Sequence, residues 1–284
     1  MNIPSGYVLI DQGAACMLVR ESYRDCLLAQ GIADPDSLIA SLPSQDSHRS
    51  GRGVVPSIPV AGKPGERMVL RKYLRGGFLR FANKDLFIGR HRPFRELSLT
   101  VEAALHGIPT IEILAAVSIK AAGLLYRGYL ISKELSSCVD LPLYLASLAR
   151  DSRATFFQKK RAAIRQAAEI VCRMHDRGFC HGDLNLKNIL INSDRPQQMY
   201  VIDWDKSLYG KSLGVKERRD NVLRFCRSMA KLARLGIPLN QRDIALFLKV
   251  YGGDKKNIRN DLLRVRISVA CRSLLWKRTA APKP

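Results

Sequence analysis

Two short polar motifs in this 284-residue chain contain the residue types that phosphoryl transfer requires. The first covers residues 181–188 with the sequence HGDLNLKN, and the second covers residues 201–205 with the sequence VIDWD. In phosphoryl transfer one carboxylate orients the attacking hydroxyl, while amide and carboxylate oxygens hold Mg²⁺ against the nucleotide phosphates. We therefore predict that Asp183 is the catalytic carboxylate and that Asn188 and Asp203, fifteen residues apart, bind Mg²⁺.

Other side chains in the two motifs have less specific roles. His181 is expected to be a structural hydrogen-bonding residue, because Asp183 already supplies the base. Lys187 lies beside the expected γ-phosphate position, where it either contacts the phosphate or remains exposed to solvent. We interpret Asp205 as the partner of Lys206 or of another nearby base, in preference to a second metal ligand.

The first half of the chain contains a candidate cation for the nucleotide phosphates and a carboxylate that could hold this cation. Arg71 and Lys72 lie in the segment MVLRKY, and consecutive strand residues point to opposite faces, so only one of them can face a given site. We predict that Arg71 binds the phosphates and is held by Glu96, with Lys72 as the competing candidate. Backbone N–H groups of Gly51 and Gly53 could cover the phosphates, although the GRG motif is more typical of an ordinary loop.

Hydrophobic periodicity predicts the elements that must position these side chains. Apolar runs between turn signals indicate strands at residues 7–10, 15–19, 54–60, 68–73, 113–117 and 124–131. Helices are predicted in the first half at residues 21–30, 36–42 and 95–106. The second half is mainly helical, at residues 157–177, 218–235, 241–250 and 257–275, with short strands at 189–191 and 200–202.

This order of elements predicts an α+β, two-lobed fold. We expect a small β-rich N-terminal lobe over residues 1–132, a helical C-terminal lobe over residues 133–276, and a flexible tail over residues 277–284. The acidic motifs would then lie at the junction of the lobes, and ligand sites favour such junctions.

Basic residues are in large excess. The chain has 47 Lys and Arg against 25 Asp and Glu, a formal net charge of +22. The excess is uneven, because residues 60–95 contain ten basic and two acidic residues, and residues 255–284 contain nine and one. Such a surface attracts nucleic acid, anionic lipid or a phosphorylated substrate. No RRM, KH or zinc-finger pattern occurs, so we predict no nucleic-acid partner.

Cysteine spacing and hydropathy favour a cytoplasmic protein. The seven cysteines show no C-x-x-C spacing and no regular framework, which is typical of reduced thiols in a cytosolic protein. The sequence contains no run of about 18 apolar residues, so it predicts no membrane-spanning helix.

Several segments together resemble one known family. They are VLRKYLRGG at 69–77, FREL at 94–97, GIPT at 107–110, HGDLNLKNILI at 181–191 and IDWDK at 202–206. In this order they resemble the bacterial lipopolysaccharide kinases of the protein-kinase-like superfamily. That family includes the 3-deoxy-manno-octulosonic acid (Kdo) kinases and the core heptose kinases, and the resemblance covers roughly residues 50–230.

The resemblance implies ATP-dependent phosphorylation of a Kdo or heptose hydroxyl in the lipid A–core region, with Mg²⁺, on the cytoplasmic face of the inner membrane. The catalytic and metal-binding positions of that family match Asp183, Asn188 and Asp203. Glu96 matches the glutamate of the N-lobe helix. Two positions depart from the family pattern, because Arg71 stands where a lysine is usual and Trp204 where a phenylalanine is usual.

The implied partners are the lipid A–core oligosaccharide and the anionic inner-membrane surface. A polybasic surface gains about 1 kcal/mol per Lys or Arg near such a membrane. Residues 75–95, RGGFLRFANKDLFIGRHRPFR, mix basic with apolar side chains. This mixture suits an interfacial patch as well as it suits an ordinary insert packed on the sheet.

Three alternatives are disfavoured. An atypical protein kinase would have an activation segment ending in Ala-Pro-Glu after Asp203, and the sequence has none. Another small-molecule phosphotransferase, of the aminoglycoside type, has acidic sites that suit cationic substrates, whereas this chain is basic. A non-catalytic nucleic-acid-binding protein would leave the two polar motifs unexplained.

Overall fold

A sheet-rich unit and a helix-rich unit make up the chain in the computed structural model, which describes residues 3–41, 47–50, 53–74, 85–210, 212–253 and 258–268. The first unit comprises Met1–Leu105 and Thr110–Leu135, and the second comprises His106–Pro109 and Ser136–Pro284. The predicted tail at residues 277–284 lies outside the described residues.

The first unit is built on one antiparallel sheet. Its strands are β1 (Tyr7–Gln12), β2 (Ala15–Arg20), β3 (Ser47–Ser50), β4 (Gly53–Pro59), β5 (Arg67–Lys72), β6 (Phe87–Ile88), β7 (Ile113–Ala122) and β8 (Leu125–Lys133). They are ordered β1-β2-β7-β8-β5-β4-β3, and β6 also pairs with β8. Register brings Arg71 of β5 opposite Leu130 of β8, so β5 lies in the interior of the sheet.

Helices cover both faces of this sheet. They are α1 (Arg24–Ala29), α2 (Pro35–Ala40) and α3 (His91–Leu105). Along β2, Met17 and Val19 pack on the face that meets Leu27 of α1, whereas Leu18 packs on the face that meets Phe94 of α3. Strand side chains alternate between faces, so a strand buried on both sides reads as a continuous apolar run.

The second unit is mainly helical. Its helices are α4 (Leu141–Ser147), α5 (Arg153–Asp176), α6 (Val215–Arg234), α7 (Gln241–Tyr251) and α8 (258–268). Its strands are β9 (Cys138–Asp140), β10 (Phe179–Cys180), β11 (Ile189–Asn192), β12 (Met199–Val201) and β13 (Leu208–Tyr209). They form two small antiparallel sheets, ordered β12-β11-β9 and β10-β13.

Gly178 connects α5 to β10 at a position that only glycine fits. Its φ is +83°, the left-handed backbone that commonly follows a helix. A Cβ atom there would collide with the carbonyl oxygen of Gly210, directly after β13. Gly210 N–H in turn donates to Gly178 C=O at 3.1 Å. This close approach lets β10, which directly precedes the first polar motif, pair with β13, which begins three residues after the second.

The predicted strands and long helices are confirmed, with shifted boundaries. The helix predicted at 95–106 begins earlier, at His91, and the helix predicted at 257–275 is described over 258–268. Helix α4 was not predicted, although Asp140 caps it by accepting from Leu143 N at 2.8 Å and Pro142 suits its first turn. Among the described residues, no helix is both long and apolar enough to cross a bilayer.

Candidate active site

The first polar motif forms a loop, residues 181–188, that joins β10 to β11; we refer to it as the HGD loop. Gly182 lets this loop approach the segment after β12, because a Cβ atom on it would lie 2.6 Å from the carbonyl oxygen of Asp205. Gly182 N–H also donates to Ser207 Oγ at 3.0 Å. The loops that carry the two motifs are therefore packed backbone to backbone.

His181 holds the backbone on either side of the site. Its ring is buried, Nε2 donates to the carbonyl oxygen of Ile202 at 2.9 Å, and Nδ1 accepts from Asp183 N–H at 3.1 Å. These partners assign the neutral Nε2–H tautomer. Burial lowers the pKa of His181, which keeps the ring neutral. The prediction of a structural role is confirmed.

Asp183 presents its carboxylate to solvent. The side chain is 66% exposed, and Oδ1 lies 3.4 Å from Nη1 of Arg224 on α6. Its backbone is fixed, since its carbonyl oxygen accepts from the side-chain amides of Asn185 at 2.9 Å and Asn188 at 2.8 Å. An accessible carboxylate on a fixed backbone is suited to orienting an incoming hydroxyl.

The β11–β12 hairpin brings the two predicted metal ligands together. Asn188 directly precedes β11, Asp203 is the second residue after β12, and Ile202 N–H donates to the Asn188 carbonyl oxygen at 3.0 Å. Because the amide nitrogen of Asn188 donates to Asp183, its amide oxygen is the atom left to bind a cation. Asp203 adopts a left-handed backbone with φ +66°. One amide and one carboxylate oxygen fit Mg²⁺, which keeps waters and uses few protein ligands.

Two lysines near the motifs are exposed. Lys187 lies on the HGD loop, and its contact with phosphate stays a prediction. Lys206 follows Asp205 with a left-handed backbone, φ +60°. Neither lysine has an ion-pair partner within the part of the chain that the structure describes.

In the first unit, Arg71 and Glu96 form the predicted ion pair. Arg71 Nη2 donates to Glu96 Oε1, and the Glu96 side chain is only 1% exposed. Tyr73, two residues further along and on the same face of the strand, donates its hydroxyl to the other Glu96 oxygen. The Arg71 guanidinium also stacks over the Tyr73 ring, 5.0 Å from its centroid. Sequence reasoning did not include Tyr73, although its two-residue spacing from Arg71 was a usable signal.

Lys72 points to the opposite face, as the register predicted. Its Nζ lies 2.9 Å from Asp36 of α2 and 2.9 Å from Asp85. Burial alone would lower the Lys72 pKa, but hydrogen bonds to the two carboxylates raise it overall. Lys72 therefore ties α2 to the sheet and is not placed beside Glu96. Gly51 lies outside the described residues, and Gly53 begins β4.

One face of α6 contributes three contacts that the sequence did not predict. Asn221 Nδ2 donates to the carbonyl oxygen of His181 at 2.7 Å, and Ser228 Oγ accepts from Leu186 N–H at 3.0 Å. Arg224, between them, is the residue that meets the Asp183 carboxylate. No local motif signalled these residues, because they lie about 40 residues from their partners.

The sequence of this chain is similar to those of known kinases. A family model described as the lipopolysaccharide kinase (Kdo/WaaP) family matches residues 51–251. A 3-deoxy-D-manno-octulosonic acid kinase of Actinobacillus succinogenes is 30% identical over 207 residues, which cover 71% of this chain and 82% of the relative. The protein of the same name from Pasteurella multocida is 27% identical with the same coverage.

A solved structure supports the fold. The structure titled "WaaP in complex with acyl carrier protein" aligns with a TM-score of 0.57 and 17% identity, and covers 90% of this chain and 97% of that chain. The α+β fold predicted from the element order, and the kinase-like type that the family resemblance implied, are thereby confirmed. Because the family model spans both polar motifs and most of the chain, this protein belongs to the lipopolysaccharide kinase (Kdo/WaaP) family.

Proposed function

We propose that this protein transfers the γ-phosphate of ATP to a sugar hydroxyl, on Kdo or heptose, in the lipid A–core region of lipopolysaccharide. The observation that carries the proposal is the HGD loop, where Asp183 exposes its carboxylate while its carbonyl oxygen holds the Asn188 amide. Family membership and the named Kdo kinases among the relatives support the same chemistry.

Each residue has a defined task in this proposal. Asp183 accepts a hydrogen bond from the acceptor hydroxyl, orients it for attack and takes its proton. Asn188 and Asp203 would hold Mg²⁺, which neutralises charge on the nucleotide phosphates when bound. Arg71, held by Glu96 and Tyr73, contacts the phosphates as a planar fork in place of a lysine point charge. Lys187 is a further phosphate contact.

We place the reaction at the cytoplasmic face of the inner membrane, with the protein bound peripherally. The net charge of +22 suits an anionic bilayer and an acidic acceptor. The segment 75–95 remains the proposed interfacial patch, although its residues 75–84 lie outside the described residues.

The test is transfer of labelled γ-phosphate to purified core oligosaccharides of increasing length, followed by location of the phosphate on the product. We expect the first acceptor that contains the correct Kdo or heptose to become labelled, and Asp183→Asn to abolish the label. Asp194→Asn, an exposed aspartate in the β11–β12 turn, is the matched control. Labelling of a protein substrate but of no core oligosaccharide would refute the proposal in favour of an atypical protein kinase.

A further inference from the structure

Arg224 lies on the face of α6 that contacts the HGD loop. Three side chains of this helix, at positions 221, 224 and 228, contact the HGD loop from one helix face, because residues three and seven apart share a face. Asn221 and Ser228 contact the loop backbone. Arg224 alone of the three contacts a side chain of the HGD loop, the carboxylate of Asp183.

The loop backbone is held without Arg224. Asn221 is 5% exposed, binds His181 C=O at 2.7 Å, and is itself fixed by a 3.0 Å hydrogen bond between its amide oxygen and His175 Nε2. Ser228 fixes Leu186 N–H. Asn188 fixes the Asp183 carbonyl oxygen. Arg224 is therefore not required to position the Asp183 main chain.

The ion pair itself adds little to stability. Its side chains are 49% and 66% exposed, and the N–O distance is 3.4 Å. Exposed pairs of this kind lose most of their attraction to solvent screening. Among the residues that the structure describes, Asp183 is the only ion-pair partner of Arg224. Since a guanidinium has five N–H donors and this side chain is half exposed, the contact leaves donors available beside the Asp183 carboxylate.

A guanidinium at this position changes which acceptors can approach Asp183. An acidic group next to the reacting hydroxyl would be repelled by Asp183 and by the nucleotide phosphates. A guanidinium beside Asp183 removes that repulsion and can bind a carboxylate or phosphate through two parallel hydrogen bonds.

We propose that Arg224 is a specificity-determining residue that binds an acidic substituent of the acceptor sugar, a carboxylate or a phosphate monoester, next to the hydroxyl that Asp183 receives. This inference rests on the proposed function, because it assigns the acceptor chemistry of that same site. It predicts that the enzyme selects acidic acceptor sugars over neutral ones of the same shape.

The test measures initial rates for parent, Arg224→Gln and Arg224→Lys with three acceptors: the intact core acceptor, its carboxyl-reduced form and its dephosphorylated form. We expect Arg224→Gln to raise the acceptor KM about 10-fold to 100-fold on the intact acceptor, with the ATP KM unchanged. The form that lacks the recognised acid should react equally slowly with parent and Arg224→Gln. Arg224→Lys should recover part of the loss, since it restores charge but not the fork.

Arg234→Gln is the matched control, because it removes one positive charge from the last turn of the same helix, away from the HGD loop. It should react like the parent, which would exclude a general loss of charge as the cause. If Arg224→Gln slows the intact, carboxyl-reduced and dephosphorylated acceptors by the same factor, Arg224 acts only through Asp183 and the inference is wrong.

A binding measurement separates this inference from the proposed function. Free Kdo, its carboxyl-reduced alcohol and inorganic phosphate are titrated into parent and Arg224→Gln protein and followed by NMR. Weaker binding of Kdo or phosphate to the variant, with unchanged binding of the alcohol, supports the inference even if no core sugar is phosphorylated. Equal binding of all three probes to both proteins overturns it, whatever the outcome of the transfer assay.

Discussion

At the scale of single residues, the side chain of Asp183 is available for catalysis, whereas its backbone contributes to stability. Among the residues that the structure describes, its carboxylate pairs only with an exposed arginine, while its backbone carries the structural hydrogen bonds. Asp183→Asn should therefore lower the transfer rate about 100-fold to 10,000-fold and leave the melting temperature unchanged. Steady-state kinetics and thermal melts of this variant and of Asp194→Asn test the prediction. A variant that melts early, or that transfers phosphate at the parental rate, would remove Asp183 from the proposed role.

Arg71 and Lys72 are adjacent, but we expect substitution of Arg71 to change ATP binding and substitution of Lys72 to change stability. Arg71→Ala should raise the ATP KM about tenfold, because a charge-assisted contact to phosphate is lost. Lys72→Ala should leave the ATP KM unchanged and lower the free energy of unfolding by about 1 kcal/mol, since Asp36 loses its cation while Asp85 keeps Arg127 at 3.2 Å. Kinetics and urea unfolding of both variants decide between the roles, and a larger KM defect for Lys72→Ala would contradict this assignment.

The sequence permitted prediction of residues whose partners are local. Asp183 and Asn188 lie five residues apart in one loop, and the alternation of a strand placed Arg71 and Lys72 on opposite faces. Arg224 could not be predicted, because its partner lies 41 residues away and their meeting depends on how α6 packs.

At the scale of elements, the pairing of β10 with β13 depends on Gly178. Gly178→Ala should lower the free energy of unfolding by about 1 kcal/mol for the left-handed backbone and by about 1–3 kcal/mol more for the clash with Gly210. Gly236 is the matched control, since it follows α6 with φ +90° and an added Cβ atom meets no atom within 4 Å. Gly236→Ala should lower the free energy of unfolding only by the contribution of the left-handed backbone. Equal losses in the two variants would show that the β10–β13 approach tolerates a side chain.

Helix α5 contains a pH-sensitive contact to α6. His175 is buried, its Nδ1 accepts from the Tyr251 hydroxyl at 2.7 Å, and its Nε2 bonds Asn221 at 3.0 Å. Burial lowers the pKa of His175 to about 4, below the ordinary value of about 6.5. The unfolded chain therefore binds the proton more readily, so the stabilisation is complete above about pH 6.5 and declines as the pH falls towards 4.

Urea unfolding between pH 7.5 and pH 5 should show this decline. We expect His175 to account for a loss of about 2 kcal/mol over that interval. His175→Gln should be less stable at pH 7.5 but should lack this part of the pH dependence. Parallel curves for parent and variant would show that His175 does not titrate in this range.

Element existence was easier to predict than element boundaries. Helix α3 was predicted from the glycine and proline that follow it, which mark only its end. Its start at His91 precedes the predicted start by four residues, because the two polar residues before Pro93 already belong to the helix. Strand β13 was not predicted, since two exposed residues carry no periodicity and pair only through the approach of Gly178 to Gly210.

At the scale of the whole molecule, the net charge of +22 predicts salt-sensitive membrane binding. Attraction between exposed charges is screened beyond about 8 Å at physiological salt. The protein should co-sediment with vesicles rich in phosphatidylglycerol at low salt, be partly released at high salt, and not bind neutral phosphatidylcholine vesicles. Equal binding to both vesicle types would show that charge does not direct the interaction.

Long-range order was the part of the fold that the sequence did not reveal. Six of the eight strands of the first unit were predicted individually, and β3 and β6 were not. The order of the strands, with β5 beside β8 and β7 beside β2, joins segments far apart in the chain. Such pairings depend on packing among many residues, and local patterns contain no information about them.

Residues His106–Pro109 belong to the second unit, but the ribosome synthesises them between two segments of the first unit. Pro109 C=O accepts from Val201 N–H at 2.9 Å, His106 Nε2 bonds the Tyr209 hydroxyl at 2.9 Å, and Ile108 is buried. A ribosome adds about 5–20 residues per second, so these four residues emerge roughly 5–20 s before β12 exists. The helical unit therefore cannot be completed from its own continuous stretch of chain, and a fragment that begins at Ser136 would lack the peptide that Val201 needs.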